Sequence, residues 1–160
     1  MYWLAADDFR KPVTVAWVRR VSSVESGQSP EGVATAEVQV ERCAAAEGVW
    51  VQRAGTHFLT YADPADRPGD GRRPDQTTLR LKPDQVVLSR FGEIAWHHTF
   101  APGRATASSI HAGSGHIPLQ VHTERLQVMV GEQGGAVRCR YRLTLGGCTQ
   151  SVRLLITWRA

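Results

Sequence analysis

Six histidines, His57, His97, His98, His111, His116 and His122, are the first side chains that could do chemistry, by ligating a metal ion. A metal site needs three or four donors converging, which in sequence means spacings such as His-x-His on a strand or a pair four apart on a helix. Neither spacing occurs. His97 and His98 are adjacent, so on a strand they point to opposite faces and cannot share an ion. His116 and His122 have the same parity but lie six apart, on either side of Pro118. The expectation is scattered surface or hydrogen-bonded histidines and no metal. Ser108, Ser109 and Ser114 lie near His111 and His116, but no strand–turn–helix elbow surrounds them. Gly113-Ser114-Gly115 lacks the following helix that a phosphate loop requires. No catalytic residue and no cofactor is assigned, and the reading leans away from an enzyme.

Arginine is the second candidate. The chain carries 17 Arg against 2 Lys, for a net charge of +4. Residues 94–160 hold seven Arg against Glu124 and Glu132. Arg138, Arg140 and Arg142 alternate along one segment and Arg153 lies in the next. Guanidinium groups bind carboxylate and phosphate bidentately, so these four form a candidate anion surface. The plainer reading is a solvated sheet face. Cys43, Cys139 and Cys148 are odd in number. With no basic, apolar leader at the N-terminus, they are expected to be reduced thiols in the cytoplasm.

The elements that must position these residues are strands. Period-2 alternation dominates, in Pro12–Val24, in Val33–Glu47 with a bend before Val49–Val51, in His57–Tyr61, and onward from Leu79. Asp63–Gln76, rich in Pro, Gly and Asp, reads as a mobile surface loop. In Ile117–Val130 the apolar phase is odd at Leu119 and Val121, then even at Leu126, Val128 and Val130. One bulged residue near Thr123–Arg125 would produce that change. Last, Val137, Cys139, Tyr141, Leu143 and Leu145 alternate with arginines, Gly146-Gly147 turns the chain, and Val152, Leu154, Ile156 and Trp158 follow. A two-residue type I′ hairpin would pair Leu145 with Cys148, Tyr141 with Val152 and Arg140 with Arg153. That register lines up the two apolar faces and keeps Cys139 and Cys148 too far apart for a disulfide. Eight to eleven short strands without a long amphipathic helix suggest a meandering antiparallel barrel or a sandwich, and the short turns favour a closed up-and-down barrel.

Several motifs add a resemblance. Arg90-Phe91-Gly92-Glu93-Ile94 ends one strand and leads into another closing at Phe100, Gly115-His116-Ile117 opens a long strand containing Thr123, and Gly135–Gly146 alternates around Tyr141 between glycines. In this order they resemble the YwiB-like bacterial domains, a family of unknown function. The resemblance covers about residues 12–160. It implies an all-β, mostly up-and-down lipocalin- or calycin-like barrel of about 8–10 strands, and it supplies no activity. Residues 1–11 would be an N-terminal extension and 63–76 a local insertion.

In a closed barrel Trp96, Tyr141 and Trp158 would point inward, and eight-stranded barrels either fill their interior or hold one small ligand. The sequence therefore points to a cytoplasmic, non-enzymatic barrel that binds a small, partly apolar ligand. The alternative is an interaction module whose basic C-terminal hairpin binds an acidic protein, RNA or another anion. No membrane partner is expected, since no apolar run reaches the length of a spanning helix.

Overall fold

Alternating apolar and polar residues give a strand one dry and one wet side, and antiparallel neighbours that share the same dry side curl around it. In a computed structural model, which describes residue 3 and residues 7–24, 38–62 and 75–160, ten strands do this. They are β1 (Phe9–Val24), β2 (Val38–Arg53), β3 (Thr56–Ala62), β4 (Gln76–Lys82), β5 (Gln85–Phe91), β6 (Ile94–Phe100), β7 (Ala105–Ala112), β8 (Gly115–Val130), β9 (Gly134–Leu145) and β10 (Cys148–Arg159). Each pairs antiparallel with the next, and β1 also pairs with β10, so the sheet closes into an up-and-down barrel with no free edge. No helix among the described residues is long and apolar enough to cross a membrane.

The last hairpin has the expected register throughout: Leu145 faces Cys148, Tyr141 faces Val152, and Arg140 faces Arg153. Its turn type differs from the expectation. Gly146 has φ 58° while Gly147 has no positive φ, which is the pattern of a type II′ turn rather than type I′. Both types match strand twist and both leave two residues in the loop, so the register is unaffected. The bulge in β8 falls between Thr123 and Arg125 and switches the inward phase from Val121 and Thr123 to Leu126 and Val128.

A second bulge lies where the sequence suggested a bend. Val15 faces Ala46 and Trp17 faces Cys43, so Ala44 and Ala45 together oppose Ala16. The extra residue turns Cys43 and Glu41 toward the same side as Trp17 and Arg19. Two boundaries also moved. Phe9, Arg10 and Lys11, read as part of an extension, pair with Gln52, Val51 and Trp50 in the barrel wall. Gln76, read as loop, opens β4 opposite Ala62. The loop's residues 63–74 and the start of the expected strand at 33–37 lie outside the described residues.

The interior is largely filled. Val15, Trp50, Leu59, Leu79, Leu81, Val86, Phe100, Val121, Val130, Val137 and Val152 are fully buried. One end is sealed by aromatic rings. Trp50 donates its indole N–H to His57 Nδ1 at 3.0 Å, Phe9 packs edge-on to Trp50 at 4.8 Å, and Trp3 edge-on to His57 at 4.9 Å. Trp158 closes the group, 6.0 Å from Trp50 between ring centres.

Trp158 lies over its cross-strand partner Gly135. A Cβ at Gly135 would stand 2.4 Å from Trp158 Cζ2 and 2.4 Å from the Met129 carbonyl oxygen. Gly135→Ala is therefore expected to displace the indole and lower unfolding stability by about 1–3 kcal/mol, the usual cost of overpacking. Urea denaturation checks this; an unchanged midpoint would show that the ring has room to move.

Candidate functional site

The opposite end, where the β5–β6, β7–β8 and β9–β10 turns lie, keeps polar groups on the inside. A pocket of about 60 Å³ is lined there by Trp17, Arg19, Tyr61, Arg90, Trp96 and Tyr141, with Glu41 and Asp75 at its rim. The residues arrive by strand parity. Arg19 shares the inward phase of Val15, Trp17 and Val21 on β1, and Arg90 shares that of Val86 and Leu88 on β5. The β1–β2 bulge sets Glu41 directly opposite Arg19.

The charged groups are unequally engaged. Arg90 Nη2 and Nε reach Asp75 Oδ2 at 3.0 and 3.3 Å, and Asp75 Oδ1 accepts the Glu93 amide at 3.1 Å. Asp75 thus ties the end of β5 to the start of β6, and its carboxylate occupies the space a Cβ on Gly92 would need. Arg19 is held more loosely, its Nε 3.9 Å from Glu41 Oε2. Both Arg19 Nε and Trp17 Nε1 are buried without a hydrogen-bond acceptor.

The aromatic wall is continuous. Trp96 stacks on His98 at 4.5 Å with ring planes 22° apart, and Tyr141 lies 4.6 Å from Phe100. His98 Nδ1 stands 2.7 Å from Ser108 Oγ. The Ser108 hydroxyl donates to the His97 carbonyl, so its oxygen accepts from a protonated His98 Nδ1. Burial lowers the His98 pKa to about 4, with the Arg19 charge pushing the same way. His98 is thus a neutral, hydrogen-bonded ring that backs Trp96. Burial likewise raises the Tyr141 hydroxyl and pushes the Cys139 thiol up to about 12, so neither is ionised near neutrality. Cys139 is buried and Cys148 exposed, and the two are not joined in a disulfide.

Of the three expected interior residues, Trp96 and Tyr141 line this pocket. Trp158 faces inward but belongs to the sealed end. Parity would have found Arg19 and Arg90, which continue apolar inward series. Glu41 was hidden by the bulge, and Asp75 by its place in a loop-like segment. Arg138, Arg140, Arg142 and Arg153 are all exposed on the outer face. Glu124 bridges two of them, at 2.7 Å to Arg140 Nε and 2.5 Å to Arg142 Nε, and these contacts hold its carboxyl below the usual carboxylate range. His111 and His116 face each other across β7–β8, with ring centres 4.6 Å apart. Among the described residues no group of three or more His, Cys, Asp or Glu is placed to hold a metal ion.

The sequence matches the family model for a domain of unknown function, DUF1934, over residues 31–154. The chain belongs to the DUF1934 family. The fold agrees with that of a solved structure described as the crystal structure of ywiB protein from Bacillus subtilis. The TM-score is 0.70 at 17% identity, over 94% of this chain and 92% of that one. No curated protein matches the sequence. The barrel and the family therefore stand, and the DUF1934 description carries no activity to transfer.

Proposed function

We propose that this barrel binds a small, partly apolar ligand at its polar end, through a carboxylate or carbonyl seated against Trp17 Nε1 and Arg19 Nε. The carrying observation is that these two N–H groups are buried in one pocket without an acceptor. Buried donors are almost always satisfied, and an orphaned pair on alternate residues of one strand calls for a partner. The walls of Trp17, Trp96 and Tyr141 suit an apolar or planar portion of the ligand.

Size narrows the class. Drug-sized ligands occupy roughly 300–1,000 Å³, whereas about 60 Å³ is open here. A polar head of a few atoms enters, and the apolar remainder lies at the mouth, where Phe91 is 61% and Ile94 47% exposed. This is a binding site rather than a catalytic one, because His98 is turned to Ser108 and the Arg90 guanidinium is clamped by Asp75. The thiols of Cys139 and Cys148, not joined in a disulfide, support a reducing, cytoplasmic setting.

Trp17 and Trp96 make the site self-reporting. Titration with benzoate, phenylacetate and octanoate is expected to change tryptophan fluorescence saturably for at least one of them. Arg19→Met should weaken that binding by roughly 10-fold or more, as expected for a hydrogen bond to a charged group. Native mass spectrometry of protein purified from its own host should show an added mass that Arg19→Met loses. If no carboxylate saturates and no mass co-purifies, the proposal fails.

A further inference from the structure

The outer face carries a feature independent of the pocket. Arg20 on β1 faces Arg153 on β10, Arg153 faces Arg140 on β9, and Arg140 faces Arg125 on β8. Four arginines thus stand in one transverse row across four adjacent strands. At about 4.8 Å between strands, the row spans roughly 14 Å. Like charges directly opposed on a sheet are destabilising, and here three opposed pairs run in succession. Glu124 satisfies Arg140 and Arg142, whereas Arg20, Arg125, Arg138 and Arg153 have no carboxylate partner among the described residues.

The row lines a groove of about 540 Å³. Beside it, on the next transverse line, Val18 faces Leu155. These two, with Ala16 and Ala44, line an apolar crevice of about 200 Å³ at the β1–β2 bulge. Charge and apolar surface are therefore contiguous.

We propose that this face docks an acidic protein segment in extended conformation, its carboxylates on the arginine row and an apolar side chain in the Ala16–Val18–Leu155 crevice. Side chains on one side of an extended segment recur every ~6.8 Å, so alternate acidic residues would span the row. Nucleic acid fits less well. Phosphates would use the arginines but not the crevice, and the outward positions of β1, β8, β9 and β10 carry no Trp, Tyr or Phe on which bases could stack.

The test is fluorescence anisotropy with labelled probes of equal length: a glutamate peptide with one central leucine, the same peptide with glutamine for that leucine, single-stranded oligouridylate and a duplex RNA. The leucine peptide is expected to bind best, to weaken steeply as salt rises, and to lose about 10-fold or more in Arg20→Glu/Arg153→Glu. Both positions are exposed strand sites, and an unchanged circular dichroism spectrum shows that the variant is folded. Arg80→Glu, on the far side of the barrel, should leave binding intact. The proposal is overturned by RNA binding as tightly as the leucine peptide, by equal binding of the two peptides, by insensitivity to the double substitution, or by no binding of any probe.

Discussion

Trp50→Ala is expected to lower the free energy of unfolding by about 3–5 kcal/mol, the range for truncating a buried tryptophan. Trp50 is fully buried. Its ring touches Phe9 and Trp158, so truncation opens a cavity against two other aromatic side chains. It also strips His57 Nδ1 of its donor in a site with no exposure to water. Trp50→Phe separates the two effects. It keeps most of the volume while removing the hydrogen bond, and it should lose about 1–3 kcal/mol. Urea denaturation of the three proteins measures both steps. A loss below about 1 kcal/mol for Trp50→Ala would mean that the sealed end of the barrel collapses around the gap.

Acid should destabilise this protein well before its carboxylates titrate. His98 has its folded pKa lowered from 6.5 to about 4 by burial. The neutral ring is the form the folded state accepts, so its stabilising contribution is full above pH 6.5 and is lost as pH falls toward 4. A shift of that size is worth about 3 kcal/mol across the window, at 1.36 kcal/mol per unit. His98→Asn removes the titration. The wild type is expected to lose about 3 kcal/mol more than the variant between pH 7 and pH 4, although the variant starts lower because it forfeits the stack on Trp96. Urea titrations at several pH values give the comparison. Parallel slopes would show that His98 takes up its proton without unfolding.

Both effects arise at ends of the barrel that the sequence describes unequally. Trp50 sits in the apolar run Val49-Trp50-Val51, whose parity does not choose a face, whereas Trp158 is a plain member of an alternating apolar series. His98 is equally legible by parity, lying between Trp96 and Phe100 on one face. Its hydrogen bond to Ser108 is not legible, because it depends on β6 and β7 lying side by side with those two positions close. Arg19 and Arg90 show the opposite failure. Each continues an apolar inward series, yet an arginine in that phase reads as a strand end rather than a pocket wall. Only closure of the sheet reveals that both reach the same space.

The arginine row shows how far one hairpin can carry the reading. The pairing of Arg140 with Arg153 follows from a two-residue turn, because the turn sets the register and the register sets the neighbours. Arg20 could not be added, since it joins through the pairing of β1 with β10, distant segments of the chain, and Arg125 could not because the β8–β9 turn is longer than two residues and does not set the register by itself.

The sequence by itself determined most of the strands, the inward side of those that alternate plainly, the bulge in β8 and the register of β9 on β10. These depend on side-chain period and on turns of two residues, which are local. Tertiary structure alone decided the closure of β1 onto β10, the meeting of Arg19 with Glu41, the ties of Asp75 to Arg90, and the alignment of four arginines. Closure joins residues far apart in the chain, the Asp75 tie depends on side-chain geometry beyond the strand pairing, and the one-residue shift at the β1–β2 bulge puts Glu41 on the face of Arg19.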